Sequence, residues 1–536
     1  VTLQLKPQSD NCGYLEISVV LEDATVLVGE PFLEIPSTVA GIKSVSYLPE
    51  EIRVTDDIGA IAVEIMPTAS GNAIIPMVRY SAARSSVGPV RVAYTAPVPK
   101  SSSHRNSAPP FDLRSDAPGV SGAGLTFLLL PILEGQVALS LKWDLSLMST
   151  GARGVCSLGT GDFILSCTLE EVRSSFFMAG PLKSVPDAVE QDCVFSAWWV
   201  GKPNFSCEST LPWIKRSYEA IADFFQPLET KPFRVFIRPG SIDSSGGAAL
   251  VDSFMIGYGM EPQSEDSLRF LMAHEMVHPL AKGLDDQGAE HSWYAEGCAE
   301  YFKLIISYRA GLVDSDAFLR ELRASTQNYY GNPNIGLPQN HVQRYFWSDS
   351  LVRTLPYDRG LLYLASVDYQ LRTASDDKVR VDDIVRELIA LKNEGVRLNQ
   401  ELWLSKLTEV IGEQASIDFQ KMMSGSVLVP APGAFGREFT RKTIELKQFD
   451  LGFLESSFRE GQIRGLNIES NAAKAGLREG DVVVRHDRVG AASSDVESDF
   501  NLTVSREGEL YEISYSPRGQ CVVGYEWVTK LDRGEV

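Results

Sequence analysis

His274-Glu275-Met276-Val277-His278 sets two imidazoles at i and i+4 around a glutamate. On a helix that spacing puts both rings on one face, one turn apart, where they can share one cation. Glu275 then falls about 100° around the helix, beside the ion. A catalytic zinc site needs a third protein ligand and a fourth position left open, because four side chains would shut out the water that has to be polarised. Seventeen residues separate His278 from Glu296, which lies in Trp293-Tyr294-Ala295-Glu296-Gly297-Cys298-Ala299-Glu300-Tyr301 at the start of another helical pattern. A connection that folds back presents this carboxylate to the same ion. The chain has only six histidines, so two at ligand spacing are improbable as coincidence. The chemistry expected is hydrolytic: with zinc bound, a water becomes acidic near neutrality, Glu275 takes its proton as it attacks a carbonyl carbon, and the same glutamate protonates a leaving amine. Glu300, one turn after Glu296, is placed to hydrogen-bond the free ring nitrogen of a ligand histidine and fix its tautomer.

These residues need helices and strands to hold them. Ser264-Glu265-Asp266 supplies an N-cap and first-turn acids for the pentad helix. Strands are expected at residues 233–237 and 253–256, a helix opening at Pro212, and further helices at 292–310, 358–373, 381–394 and 399–411. Residues 13–165 alternate apolar and polar side chains, as in Tyr14-Leu15-Glu16-Ile17-Ser18-Val19, and read as an all-β domain. Within it, residues 97–124 hold Pro97, Pro99, Pro109, Pro110 and Pro118 among serines and glycines, and read as a long surface loop. Short strands return beyond Pro430 and Pro432, and no solenoid-like repeat occurs.

Composition excludes several classes of function. With 70 acidic against 50 basic residues, the net charge of −20 repels nucleic acid and anionic membranes. The longest apolar stretch, residues 125–133, is broken by Pro131 and is far below the roughly 20 residues of a membrane span. Seven cysteines without a CxxC pair favour a reducing, cytoplasmic setting. The first residue is Val1 rather than Met, which leaves room for an upstream segment such as a removed signal peptide.

With the pentad and the WxxEGxxEY segment, the sequence resembles the gluzincin metallopeptidases, and among them the glycyl aminopeptidase family. That family joins an N-terminal β domain, a thermolysin-like zinc-hydrolase domain and a PDZ domain. The resemblance implies a multidomain α+β chain divided as 1–185, 186–445 and 446–536, with Zn²⁺ as cofactor and a peptide or small molecule as substrate. The PDZ likeness rests on Asp450-Leu451-Gly452-Phe453, on Gly465-Leu466-Asn467-Ile468, and on the stretch from Asn471 through Ala475-Gly476-Leu477-Arg478-Glu479-Gly480-Asp481 to Val483. It implies that Leu451, Gly452 and Phe453 receive a C-terminal peptide. Leu355-Pro356-Tyr357-Asp358-Arg359-Gly360 is similar to the PYxKG segment of related gluzincins, which makes Tyr357 the donor to the oxyanion. One departure stands out. Where aminopeptidases of this group carry a glutamate for the substrate's free amine, this chain reads Gly246-Gly247-Ala248-Ala249-Leu250-Val251-Asp252. Gly246 and Gly247 suit a close approach of substrate backbone, and Asp252 is the nearest carboxylate. The alternatives are a zinc hydrolase or cyclase acting on a small metabolite, in the manner of an epoxide hydrolase, and a non-catalytic PDZ scaffold.

Overall fold

Strand Tyr14–Leu21 buries Leu15, Ile17, Val19 and Leu21, as alternation on a one-sided sheet requires. It lies in a seven-stranded sheet ordered Phe163–Cys167, Val137–Trp143, Thr2–Pro7, Tyr14–Leu21, Val90–Pro97, Arg53–Thr55, Ala60–Ile61. A four-stranded sheet containing Pro31–Pro36 and Met77–Ala82 shares its core, with Leu33, Ile35 and Tyr80 joining Val19, Val92 and Leu139. The structure is a computed structural model that describes all residues except 68–74, 101–108, 117, 189, 191–192, 228–230, 241–245, 260–263, 287, 347 and 531–536.

Two units emerge, Val1–Lys215 with Glu229–Glu265, and Arg216–Leu228 with Asp266–Val536. The first unit runs past the division expected at residue 185. A mixed five-stranded sheet, ordered Lys183–Val185, Phe195–Trp199, Phe233–Pro239, Ser253–Tyr258, Gly246–Leu250, shares a core with the sheet before it, Trp198, Phe236 and Met255 meeting Val155 and Phe176. Its central strands pair in parallel, and Gly246–Leu250 is the antiparallel edge.

The surface-loop expectation for residues 97–124 fails over its described second half. Phe111, Leu113 and the strand Val120–Ala123 are buried. A Cβ on Gly122 would come within 2.7 Å of the Leu113 backbone, and one on Gly124 within 2.7 Å of the Arg173 carbonyl. Composition misled because here backbone packs on backbone through glycines, so burial needs few large side chains. Residues 101–108 and 117 lie outside the described residues.

The second unit is helical around the pentad. Helix Glu265–Ala281 starts directly after Ser264 and is buried nearly all round, at Phe270, Met272, Ala273, Met276 and Val277, so it lacks the single apolar stripe of a surface helix. Helices Ser292–Arg309, Val381–Asn393 and Gln400–Ile411 fall where expected. Helix Ser315–Tyr330, capped by Asp314, and helix Gln414–Met423 were not expected. Pro212, expected to open a helix, sits inside Cys207–Phe225, and the helix expected at 358–373 begins earlier, as Ser350–Ala374, and runs through Pro356. In the second case Asp349 caps the helix ahead of the proline by accepting from Leu351 and Val352. An aromatic cluster of Trp293, Tyr294, Tyr363, Trp403 and Phe419 locks these helices through edge-to-face contacts.

Helices Ser292–Arg309 and Ser350–Ala374 touch backbone to backbone at Gly297 and Gly360. A Cβ on Gly360 would lie 2.3 Å from the Trp293 carbonyl oxygen and 2.5 Å from the Gly297 Cα. Neither neighbour is a flexible side-chain end. Gly360→Ala is therefore expected to destabilise the chain by about 1–3 kcal/mol, as overpacking does. A drop in thermal midpoint checks this against Gly490→Ala, whose Cβ would enter open space.

Beyond residue 430, Phe439–Phe449 and Arg518–Thr529 form a long antiparallel ladder. Between them a three-stranded sheet, Val482–His486, Phe500–Arg506 and Glu509–Tyr515, packs around Phe449, Leu451, Phe453, Ile463, Leu477 and Tyr515. Among the described residues no helix is long and apolar enough to cross a membrane, and all seven cysteines are unpaired.

Candidate metal centre

The pentad helix projects His274 and His278 from one face, and the first turns of helix Ser292–Arg309 bring Glu296 against them. The two Nε2 atoms are 3.1 Å apart, and Glu296 Oε2 lies 3.4 Å from each. A tetrahedral zinc ion with bonds of about 2.05 Å requires its donors to stand about 3.3 Å apart. The three donor atoms form a triangle of that size. Glu296 Oε2 is buried and makes no well-formed hydrogen bond, its polar neighbours being the two imidazole nitrogens, so a cation among the three would satisfy it. His274 is buried while His278 and Glu296 are partly exposed, so the triangle opens on their side. The donor set fits zinc.

Electrostatics point the same way. Burial alone lowers the pKa of His274, but the carboxylates of Glu296 and Glu300 outweigh it and raise it to about 10. Such a site favours positive charge. Burial opposes ionisation of Glu296, yet the two imidazoles hold its carboxyl well below the usual range. Glu300 lies 2.8 Å from His274 Nδ1 and accepts its proton there, so Nε2 is the ring atom left to face Glu296 and an ion. Burial works against the Glu300 carboxylate too, but Lys303 and His274 bring it down to about 2. Glu275 is buried, and that burial raises its carboxyl, with the histidines partly offsetting the effect.

Tyr357, seven residues into helix Ser350–Ala374, lays its ring nearly parallel to the His274 imidazole, 9° between planes and 5.8 Å between centroids. Burial, then Glu296, pushes its phenol well above the ordinary value, so the hydroxyl keeps its proton. Asp358 beside it is buried, and burial with Glu300 nearby raises its carboxyl far above the usual range. Asn328 donates to Asp358 and accepts from Ser493 Oγ. Arg359 is fully buried and donates to Gln339 and to the carbonyls of Ile335 and Leu337.

The remaining expected site residues are not among the possible metal-holding side chains. Gly246 and Gly247 belong to the edge strand of the first unit. Asp252 is not on that strand: it occupies the tight turn after it, with φ of 41°, and faces Lys231 at 4.0 Å. In the C-terminal module Leu451 and Phe453 are buried in the core, and the N–H of Gly452 donates to Asp450. Sequence reading missed Gly297 and Gly360, which set the helix crossing, and Lys303, which grips Glu300. Both glycines sat inside segments singled out for other residues.

No protein-family model matches the chain, and no curated protein does. Among solved structures the chain is similar to an aminopeptidase N family protein from Idiomarina loihiensis, 13% identical, covering 98% of each chain with a TM-score of 0.67. It is also similar to an M1 zinc metallopeptidase from Deinococcus radiodurans, 16% identical, covering 80% of this chain and 93% of that one with a TM-score of 0.51. A mutant of the Deinococcus enzyme bound to a Tyr-Ser-Ala substrate gives a TM-score of 0.50 at 15% identity, covering 80% of this chain and 94% of that one. The fold is that of the aminopeptidase N and M1 metallopeptidases.

Proposed function

We propose that the chain is a zinc metallopeptidase, an aminopeptidase that hydrolyses peptide bonds with Glu275 as general base. The observation that carries this reading is the donor triangle of His274, His278 and Glu296, whose buried carboxylate oxygen makes no well-formed hydrogen bond. The shared fold with peptidases, one of them bound to a tripeptide, supports it. Zinc held there would supply a water acidic enough to attack near neutral pH. Glu275 takes the proton of the attacking water and delivers it to the leaving amine. Tyr357 donates its hydroxyl proton to the oxyanion that develops on the substrate. Glu300 keeps His274 in the tautomer that ligates through Nε2. The architecture that goes with this reading is an N-terminal β domain (1–185), a thermolysin-like domain (186–445) and a PDZ-like domain (446–536) whose Leu451, Gly452 and Phe453 take a C-terminal peptide.

The test is release of amino-terminal residues from peptide amides by the zinc-loaded chain. One observation favours a second reading, a zinc hydrolase acting on a small metabolite. The strand Gly246–Leu250 carries no carboxylate for a substrate amine, and Asp252 is turned into a hairpin beside Lys231. Zinc uptake without any amide cleavage selects that reading. Capture of C-terminal peptides without zinc uptake selects a scaffold.

A further inference from the structure

Behind the metal-facing atoms lies an ion chain through Glu300 whose other members, Lys303 and Glu321, the proposed mechanism does not use. Lys303 Nζ sits 3.0 Å from Oε1 and 2.8 Å from Oε2 of Glu300, and 2.8 Å from Oε1 of Glu321 on helix Ser315–Tyr330. Glu300 Oε1, one of the two oxygens so held, is the atom that accepts from His274 Nδ1. The side chains of Lys303 and Glu300 are 8% and 10% exposed. A carboxylate held through one oxygen can still swing about its terminal torsion, which is broad and roughly two-fold. Contact with both oxygens fixes its plane.

We propose that Lys303 is a positioning residue of the metal centre, clamping Glu300 so that His274 presents Nε2 to the ion. The inference rests on the zinc reading above. Charge explains why a cation is built in here. Glu275 and Glu300 are buried and Glu296 is largely so, and acids gathered with little water around them repel one another. An ammonium with three donors compensates one of them without entering the ligand triangle. The bland reading is an ion pair that merely ties helix Ser292–Arg309 to helix Ser315–Tyr330 through Glu321.

Two variants separate the readings. Glu321→Gln removes the charged tie between helices and leaves the Lys303 grip on Glu300. The double variant Lys303→Met with Glu321→Gln removes both without stranding a charge at 321. Zinc affinity is measured by chelator competition, and thermal unfolding of the metal-free chains is followed alongside. The expected result is Glu321→Gln within threefold of wild type and the double variant weaker by about 10–100-fold, the range for lost partners of a ligand histidine. The double variant's kcat should fall with KM little changed. Lys303→Gln, which keeps a donor but no charge, gives a milder test if the double variant does not fold, with an affinity between those two. Equal zinc affinity in Glu321→Gln and whichever Lys303 variant folds overturns the proposal while leaving the peptidase reading intact. A wild-type chain that takes up no zinc overturns both.

Discussion

Glu275→Gln is expected to lower peptide turnover by about 10²–10⁴-fold while one zinc per chain stays bound, because the substitution keeps size and shape and removes only the capacity to accept a proton. Glu275 is buried on the pentad helix between the two histidines in sequence. Burial raises its carboxyl, with the imidazoles pulling the other way and Glu296 and Glu300 adding to the rise. A base raised in this manner keeps the proton it has taken long enough to hand it to the leaving amine. Glutamine cannot do so. Zinc content by metal analysis together with steady-state kinetics checks the prediction, and turnover within threefold of wild type would remove Glu275 from the mechanism.

Tyr357→Phe is expected to lower kcat by about 10²–10³-fold with KM nearly unchanged, the usual effect of losing one oxyanion donor. The phenylalanine ring keeps the parallel stacking against His274, so the ligand stays in place and the loss falls on the hydroxyl alone. Because that hydroxyl holds its proton across the working range, its contribution is hydrogen-bond donation to charge present only in the transition state. Kinetics of the zinc-loaded variant on the same peptide amide decide the point. A raised KM with unchanged kcat would make Tyr357 a binding residue, contrary to this account.

The site was more legible in the sequence than the frame that carries it. HExxH and the EGxxE segment are local, since a helix brings i and i+4 together wherever it lies, and both candidate ligand histidines and Glu300 follow from that geometry. The grip of Lys303 on Glu300 was legible in principle as an i, i+3 pair, but Glu321 joins it from a helix with no motif of its own. The Gly297 to Gly360 crossing joins residues far apart in sequence and is readable only once two helices are packed. Pro212 misled because its ring geometry suits a helix start, whereas it sits inside helix Cys207–Phe225. Residues 109–124 misled because glycine-rich backbone can be buried without apolar side chains. Asp252 was expected only as the carboxylate nearest to the missing glutamate, and it lies in a turn with positive φ beyond the strand.

The most direct measurement is anomalous diffraction at the zinc edge from crystals of the zinc-loaded chain. A single strong peak is expected about 2 Å from His274 Nε2, His278 Nε2 and a carboxyl oxygen of Glu296. A peak elsewhere, or one bonded to both histidines with Glu296 turned away, would contradict it.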